Sequence, residues 1–192
     1  MPKIIITEIR DKYADYTTLL TGRKSVFEQV INITEKKGNN KNFLTNRDVN
    51  VKHSSLTDAI TLIAEVRVDN YKYFNFKLRC RSLSEVPFFR FDSDGETHRN
   101  YDDSIPLSEQ QITTPHFHRF NENGLLIAYK TDKLLNEQER IALEDISLCV
   151  IHFCHESNIR LNDDDFPGIS IMPGTFQFET ENNDPNKGVN FA

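Results

Sequence analysis

From Tyr73 to Arg81 apolar and polar side chains alternate one for one, and this pattern constrains the fold more than any other stretch of the chain. Phe74, Phe76, Leu78 and Cys80 take one parity, while Tyr73, Asn75, Lys77, Arg79 and Arg81 take the other. Successive strand residues point to opposite faces. The stretch therefore reads as a strand with one face in the core and a tyrosine, lysine and arginine face outside. Phe88–Asp92 reads as a second strand after Pro87, closed by the turn pair Asp94-Gly95. His116–Phe120 and Leu125–Lys130 read as a hairpin around Asn121-Glu122-Asn123-Gly124.

Elsewhere the pattern is weaker. Residues 3–9 and 24–34 read as strands, the latter with Val26, Val30 and Ile31 among its apolar positions. Ser55–Asp58 fits the cap of a short helix, and Leu62–Val68 fits a strand equally well. Asn136–Asn158 carries Leu143, Ile146, Val150 and Phe153 at helical spacing, and Asn136 with Glu139 makes a variant capping box. Thr175–Glu179 reads as a last strand. The expected fold is α+β: an antiparallel β-sheet with a C-terminal helix packed on one face. It forms a single domain over residues 1–179, followed by a flexible acidic and polar tail over 180–192.

Charge is unevenly spread. Residues 1–100 hold 17 Lys and Arg against 13 Asp and Glu, while residues 101–192 hold 6 against 16. That balance suits a mildly basic surface able to meet an anion, with acidic parts elsewhere. It is far from the strongly basic balance of a dedicated DNA-binding domain. No stretch approaches the ~20 apolar residues of a membrane span, and the N-terminus lacks a signal-peptide pattern. Cys80, Cys149 and Cys154 are odd in number and lack CxxC spacing. They read as free thiols of a cytoplasmic protein, with no membrane partner. Walker, dinucleotide, nucleophile-elbow and His-Glu-x-x-His motifs are absent.

Polar chemistry concentrates in Arg90-Phe91-Asp92, in Gly95-x-x-His98-x-Asn100, and in Pro115-His116-Phe117-His118. Arg90 and Asp92 share a strand face, as do His116 and His118. If the two strands are neighbours, these four line one patch, and His98 reaches it from the long segment Ser93–Thr114. Three chemistries fit those residue types. In metal-independent RNA cleavage, His116 and His118 act as acid and base, Arg90 or Arg119 stabilises the phosphate charge, and Asp92 orients a histidine. The face of Tyr73, Lys77, Arg79 and Arg81 then holds single-stranded nucleic acid. In the second, His116, His118 and Glu122 bind a divalent transition metal, with Asp92 or His98 as other ligands. His116-x-His118-x3-Glu122 resembles the first cupin motif, but the flanking glycines and the second motif are missing. In the third, the histidines only anchor the long loop through hydrogen bonds, and the protein is a binding module for nucleic acid or protein. His152 and His155 read as a helix face and His53 as a surface residue.

The series Arg90-x-Asp92-x-x-Gly95-x-x-His98-x-Asn100 with Pro115-His116-x-His118 resembles a group of small uncharacterised bacterial and phage proteins. It is also distantly similar to the TumE-type toxins of toxin–antitoxin systems. That resemblance covers residues 71–157 and implies ribonucleolytic activity, with Arg90, Asp92, His116 and His118 as site residues. A cognate antitoxin would be the partner.

Overall fold

The alternating stretch is a strand whose apolar side is buried at every second position. The computed structural model describes residues 3–172 except 39–41, 47–48, 103 and 163. The strand expected at Thr175–Glu179 and the polar tail at 180–192 lie outside the described residues.

Two short helices open the chain, α1 (Thr7–Asp11) and α2 (Tyr13–Thr21). Seven strands follow: β1 (Lys24–Val26), β2 (Val30–Lys36), β3 (Phe43–Asn46), β4 (Val49–His53), β5 (Ile60–Arg67), β6 (Phe74–Cys80) and β7 (Phe89–Asp92). A small ribbon of β8 (His98–Arg99) and β9 (Gln111–Ile112) precedes the hairpin of β10 (His116–Phe120) and β11 (Leu126–Tyr129). Helices α3 (Asp132–Leu135), α4 (Glu137–Ala142) and α5 (Ile146–Glu156) come next, then β12 (Ile159–Arg160) and β13 (Gly168–Ile171).

One sheet runs in the order β11-β10-β7-β6-β5-β3-β2-β13. It forks at β5, whose Ile60–Leu62 end pairs with β4 while its Glu65–Arg67 end pairs with β3. Pairing is antiparallel except where β13 joins β2 and β12 joins β1. The fold is thus α+β, with the C-terminal helix α5 against one sheet face. Phe153 of α5 is the centre of that contact. Its ring lies 5.3 Å from Phe76, 5.5 Å from Phe89 and 6.4 Å from Phe117 between centroids. Fully burying one such ring is worth roughly 1.5–3 kcal/mol.

Several expectations are corrected. Residues 3–9 do not form a strand: only Ile5 bridges to Leu125, and helix begins at Thr7. Ile9, Tyr16 and Leu19 bury themselves in the core, and this helical spacing overrides the β-propensity of Ile4–Ile6. The stretch 24–34 is two strands, β1 and β2. The segment after Ser55 becomes β5, not a helix. Asn136–Asn158 is not one helix. The Asn136 side chain caps α4 by accepting from Gln138 and Glu139 backbone N–H groups, and Asp145 caps α5 afresh by accepting from Ser147. Each new cap needs non-helical backbone at the capping residue, so the run breaks. His53 is buried rather than on the surface: its Nε2 lies 3.0 Å from the Thr18 carbonyl, and its Nδ1 accepts from Ser55 and Leu56.

Candidate functional site

The sheet face opposite α5 carries the polar side chains, and register arranges them in two rows. Lys77 pairs with Arg90 and Arg90 with His118. One step along, Asn75 pairs with Asp92 and Asp92 with His116. Period two puts Phe89, Phe91 and Phe117 on the α5 side, which turns Arg90, Asp92, His116 and His118 to the other. The four residues singled out in the sequence therefore meet.

Their geometry is tight. The Nε2 atoms of His116 and His118 lie 2.7 Å apart. His118 Nε2 is 3.0 Å from Asp92 Oδ2 and 2.9 Å from Arg90 Nη2. Arg90 Nη2 is 2.9 Å from the same Asp92 oxygen, and His116 Nε2 is 4.0 Å from it. Side-chain exposure falls from 31% at Arg90 and 20% at Asp92 to 2% at His116 and 1% at His118. The cluster thus opens to solvent from its arginine and carboxylate side. A cleft of about 140 Å³ between Ile4, Ile6, Pro87 and Phe120 also reaches Arg90 and His118.

Burial shapes the charges. It pushes His116 down to about 4, helped by His118 and opposed by Asp92. It lowers His118 as well, against the hydrogen bond to Asp92. Burial acts to raise the Asp92 carboxyl, but the His118 hydrogen bond and the Arg90 charge outweigh it and hold the carboxyl below its usual range. At neutral pH the imidazoles are neutral and Asp92 is an anion, so Arg90 supplies the compensating charge.

The remaining expected site residues divide. His98 stacks edge-on over His118 at 4.9 Å between ring centroids. Burial lowers it to about 4, with the His118 charge adding to the shift. Its Nε2, however, donates to the Leu126 carbonyl at 3.3 Å. Asn100, two residues on, donates to the Ala128 carbonyl and accepts from the Ala128 N–H, both at 2.8 Å. His98 and Asn100 together cover the free edge of β11, so the His-x-Asn element is a staple for the long loop. Glu122 is exposed in the β10–β11 turn, beyond the end of the strand, and lies outside the cluster. Arg119 sits on the opposite face, 4.7 Å over the Tyr129 ring, because it has the parity of Phe117. Lys77 is tied to Glu65 at 2.8 Å, and Lys37 holds the same carboxylate at 2.8 Å. Tyr73 lies under Arg67, 4.8 Å from its guanidinium carbon. Arg79 and Arg81 line a separate groove of about 210 Å³ with Thr61 and Ile63.

Sequence reading missed Glu65. Glu65 neutralises Lys77 only because β5 and β6 pair in a register that sets Glu65 opposite Asn75. The available signal was the unbroken β6 alternation, which places Asn75 on the same face as Lys77. Among the described residues, Asp92, His116 and His118 form the one group of three or more histidine, cysteine or acidic side chains whose ligating atoms all lie within 4.8 Å of one another. No described helix is long and apolar enough to cross a membrane. Searches of protein-family models, of curated proteins and of solved structures find no match to this chain.

Proposed function

We propose that this protein is a ribonuclease-like enzyme whose reaction centre is the Arg90, Asp92, His116 and His118 cluster. The observation that carries this reading is the pair of cross-strand rows, which sets the cluster on the polar sheet face in line with Lys77, open to solvent at Arg90 and Asp92. A purely structural polar cluster has no need to open toward solvent through its one arginine.

In this reading the phosphate of a single-stranded RNA sits against Arg90, whose planar guanidinium suits a phosphoryl group. The ribose 2′-oxygen attacks the adjacent phosphorus and its proton passes to the centre. The P–O5′ bond then breaks, and the centre returns a proton to O5′. The 2.7 Å between the imidazole nitrogens modifies the division of labour expected from sequence. No phosphorus atom fits between two nitrogens in hydrogen-bond contact, so His116 and His118 work as one unit rather than as acid and base on opposite sides. Asp92 holds His118 and so acts through it. Arg79 and Arg81 extend the cationic face along the strand. The resemblance to TumE-type toxins supports a cytoplasmic toxin or phage–host conflict protein, with an antitoxin as its protein partner.

The test is cleavage of end-labelled single-stranded RNA by the purified chain beside His118→Ala, with EDTA and with added divalent metal. Cleavage by the wild type and loss of at least a hundredfold in the variant supports the reading. No cleavage under either condition sinks it and leaves a binding role.

A further inference from the structure

We infer that Asp92, His116 and His118 form a binding site for one divalent transition-metal ion, with Asp92 in the place that the sequence pattern gave to Glu122. The inference goes beyond the nuclease reading and stands without it: an ion takes the two Nε2 lone pairs, so proton transfer by these histidines belongs to the ion-free centre.

The argument begins with His118 Nε2, which faces three polar atoms at once: His116 Nε2 at 2.7 Å, Arg90 Nη2 at 2.9 Å and Asp92 Oδ2 at 3.0 Å. An imidazole nitrogen bears either one proton or one lone pair. If it donates to Asp92, its proton confronts the N–H of Arg90. If it accepts from Arg90 or His116, its lone pair confronts a carboxylate. No placement of protons satisfies all three contacts, and a buried polar mismatch is costly.

A divalent cation resolves the conflict. Both histidine nitrogens then present lone pairs to it, Asp92 Oδ2 presents a third donor, and Arg90 keeps its contact with that oxygen at 2.9 Å. A hydrogen-bonded ligand carboxylate is the usual second layer of a metal centre. The spacing also suits an ion. Ligands held about 2.0–2.2 Å from a tetrahedral ion stand about 3.3–3.6 Å apart, and the three separations here, 2.7, 3.0 and 4.0 Å, straddle that distance. Two imidazoles with one carboxylate select zinc, cobalt, iron or manganese over magnesium or calcium, which prefer oxygen alone.

Rigidity and access complete the case. All three ligands come from the paired strands β7 and β10, so the backbone fixes their spacing. Asp92 faces outward at 20% side-chain exposure, which leaves a route in and open positions for water or a phosphate oxygen. His98 is not one of the ligands, because neither of its ring nitrogens lies within 4.8 Å of all three ligand atoms.

The experiment is titration of the chelator-treated full chain with Co(II), followed by visible absorption and by the rise in thermal midpoint. Wild type, Asp92→Asn, His116→Ala and Glu122→Gln are compared, and circular dichroism confirms that each is folded. One equivalent of Co(II) should bind the wild type and Glu122→Gln alike, with at least tenfold weaker binding in Asp92→Asn and in His116→Ala. A wild type that takes up no Co(II), or a folded Asp92→Asn that binds as tightly as wild type, overturns the inference. Cobalt binding without RNA cleavage keeps the metal centre and ends the nuclease reading. Cleavage in EDTA by a chain that binds no cobalt ends the metal centre and keeps the nuclease.

Discussion

The two faces of one sheet obey different rules. Toward α5 the rings of Phe76, Phe89 and Phe117 pack against Phe153 of the helix, and none of these four carries a side-chain polar atom to satisfy. On the far side of the same strands lie Lys77, Arg90, Asp92, His116 and His118, where the His118 contacts cannot all be satisfied by protons. The Nδ1 atoms of His98 and His118 and the Nε of Arg90 are also buried there, with no hydrogen-bond partner among the described residues. The first face is what a search for stability alone would choose. The second is held at a cost in desolvation, and such arrangements persist where binding or chemistry needs them.

That contrast yields predictions that grow smaller in energy. Phe153→Ala should cost about 3–5 kcal/mol in urea unfolding by opening a cavity in the aromatic face, and cobalt uptake by the folded fraction should remain. Loss of metal uptake in proportion to stability would break the separation of the faces.

Gly124 comes next. It has φ of 68°, and a Cβ there would lie 2.3 Å from the Ile6 carbonyl oxygen. Gly124→Ala should cost about 1–3 kcal/mol and loosen the Ile4–Ile6 segment that walls the cleft beside His118. Hydrogen exchange at the Ile6 N–H, which donates to the Gly124 carbonyl at 2.8 Å, reads this directly.

Asn100→Ala removes both contacts to Ala128 and should cost about 1–2 kcal/mol. Faster exchange should be confined to β8, β9 and the outer edge of β11. A global loss of protection would show that the loop is part of the core.

His152 gives a pH effect on the apolar face. Its Nε2 lies 3.0 Å from the Thr131 hydroxyl, and burial pushes its pKa down to about 4. The unfolded chain titrates near ~6.5 and so binds the extra proton. Its contribution is complete above ~6.5 and is lost as pH falls toward 4. His152→Gln should flatten the stability profile in that window by up to about 1.4 kcal/mol per pH unit. An unchanged slope would mean that His152 is protonated in the fold.

What could be read from sequence follows from where each partner sits. β6, β7 and the β10–β11 hairpin were legible because period two and the Asn123-Gly124 turn are local signals. The meeting of Arg90 with His118 needed only the assumption that two legible strands are neighbours. The burial of Lys24 was not legible. Its ammonium is held by the carbonyls of Leu20, Gly22 and Ser157 at 2.8–3.1 Å, which closes the ends of both α2 and α5. A backbone acceptor 133 positions from Lys24 in the chain leaves no pattern of residue types. Glu122 looked like a ligand on spacing, yet the strand ends at Phe120 and the turn carries Glu122 into solvent. Asp92 reaches the histidines from across the sheet, as the sequence reading expected of neighbouring strands, and β7 pairs with β10.

The most direct test replaces Arg90, Asp92 and His118 together by Met, Leu and Leu, and measures urea unfolding in EDTA, with cobalt uptake read on the same protein. If the polar face is held for function, the triple variant should be as stable as wild type or more stable by about 1–4 kcal/mol, and should take up no cobalt. A loss of several kcal/mol in the absence of metal would mean that the cluster holds the fold together, and would contradict the account.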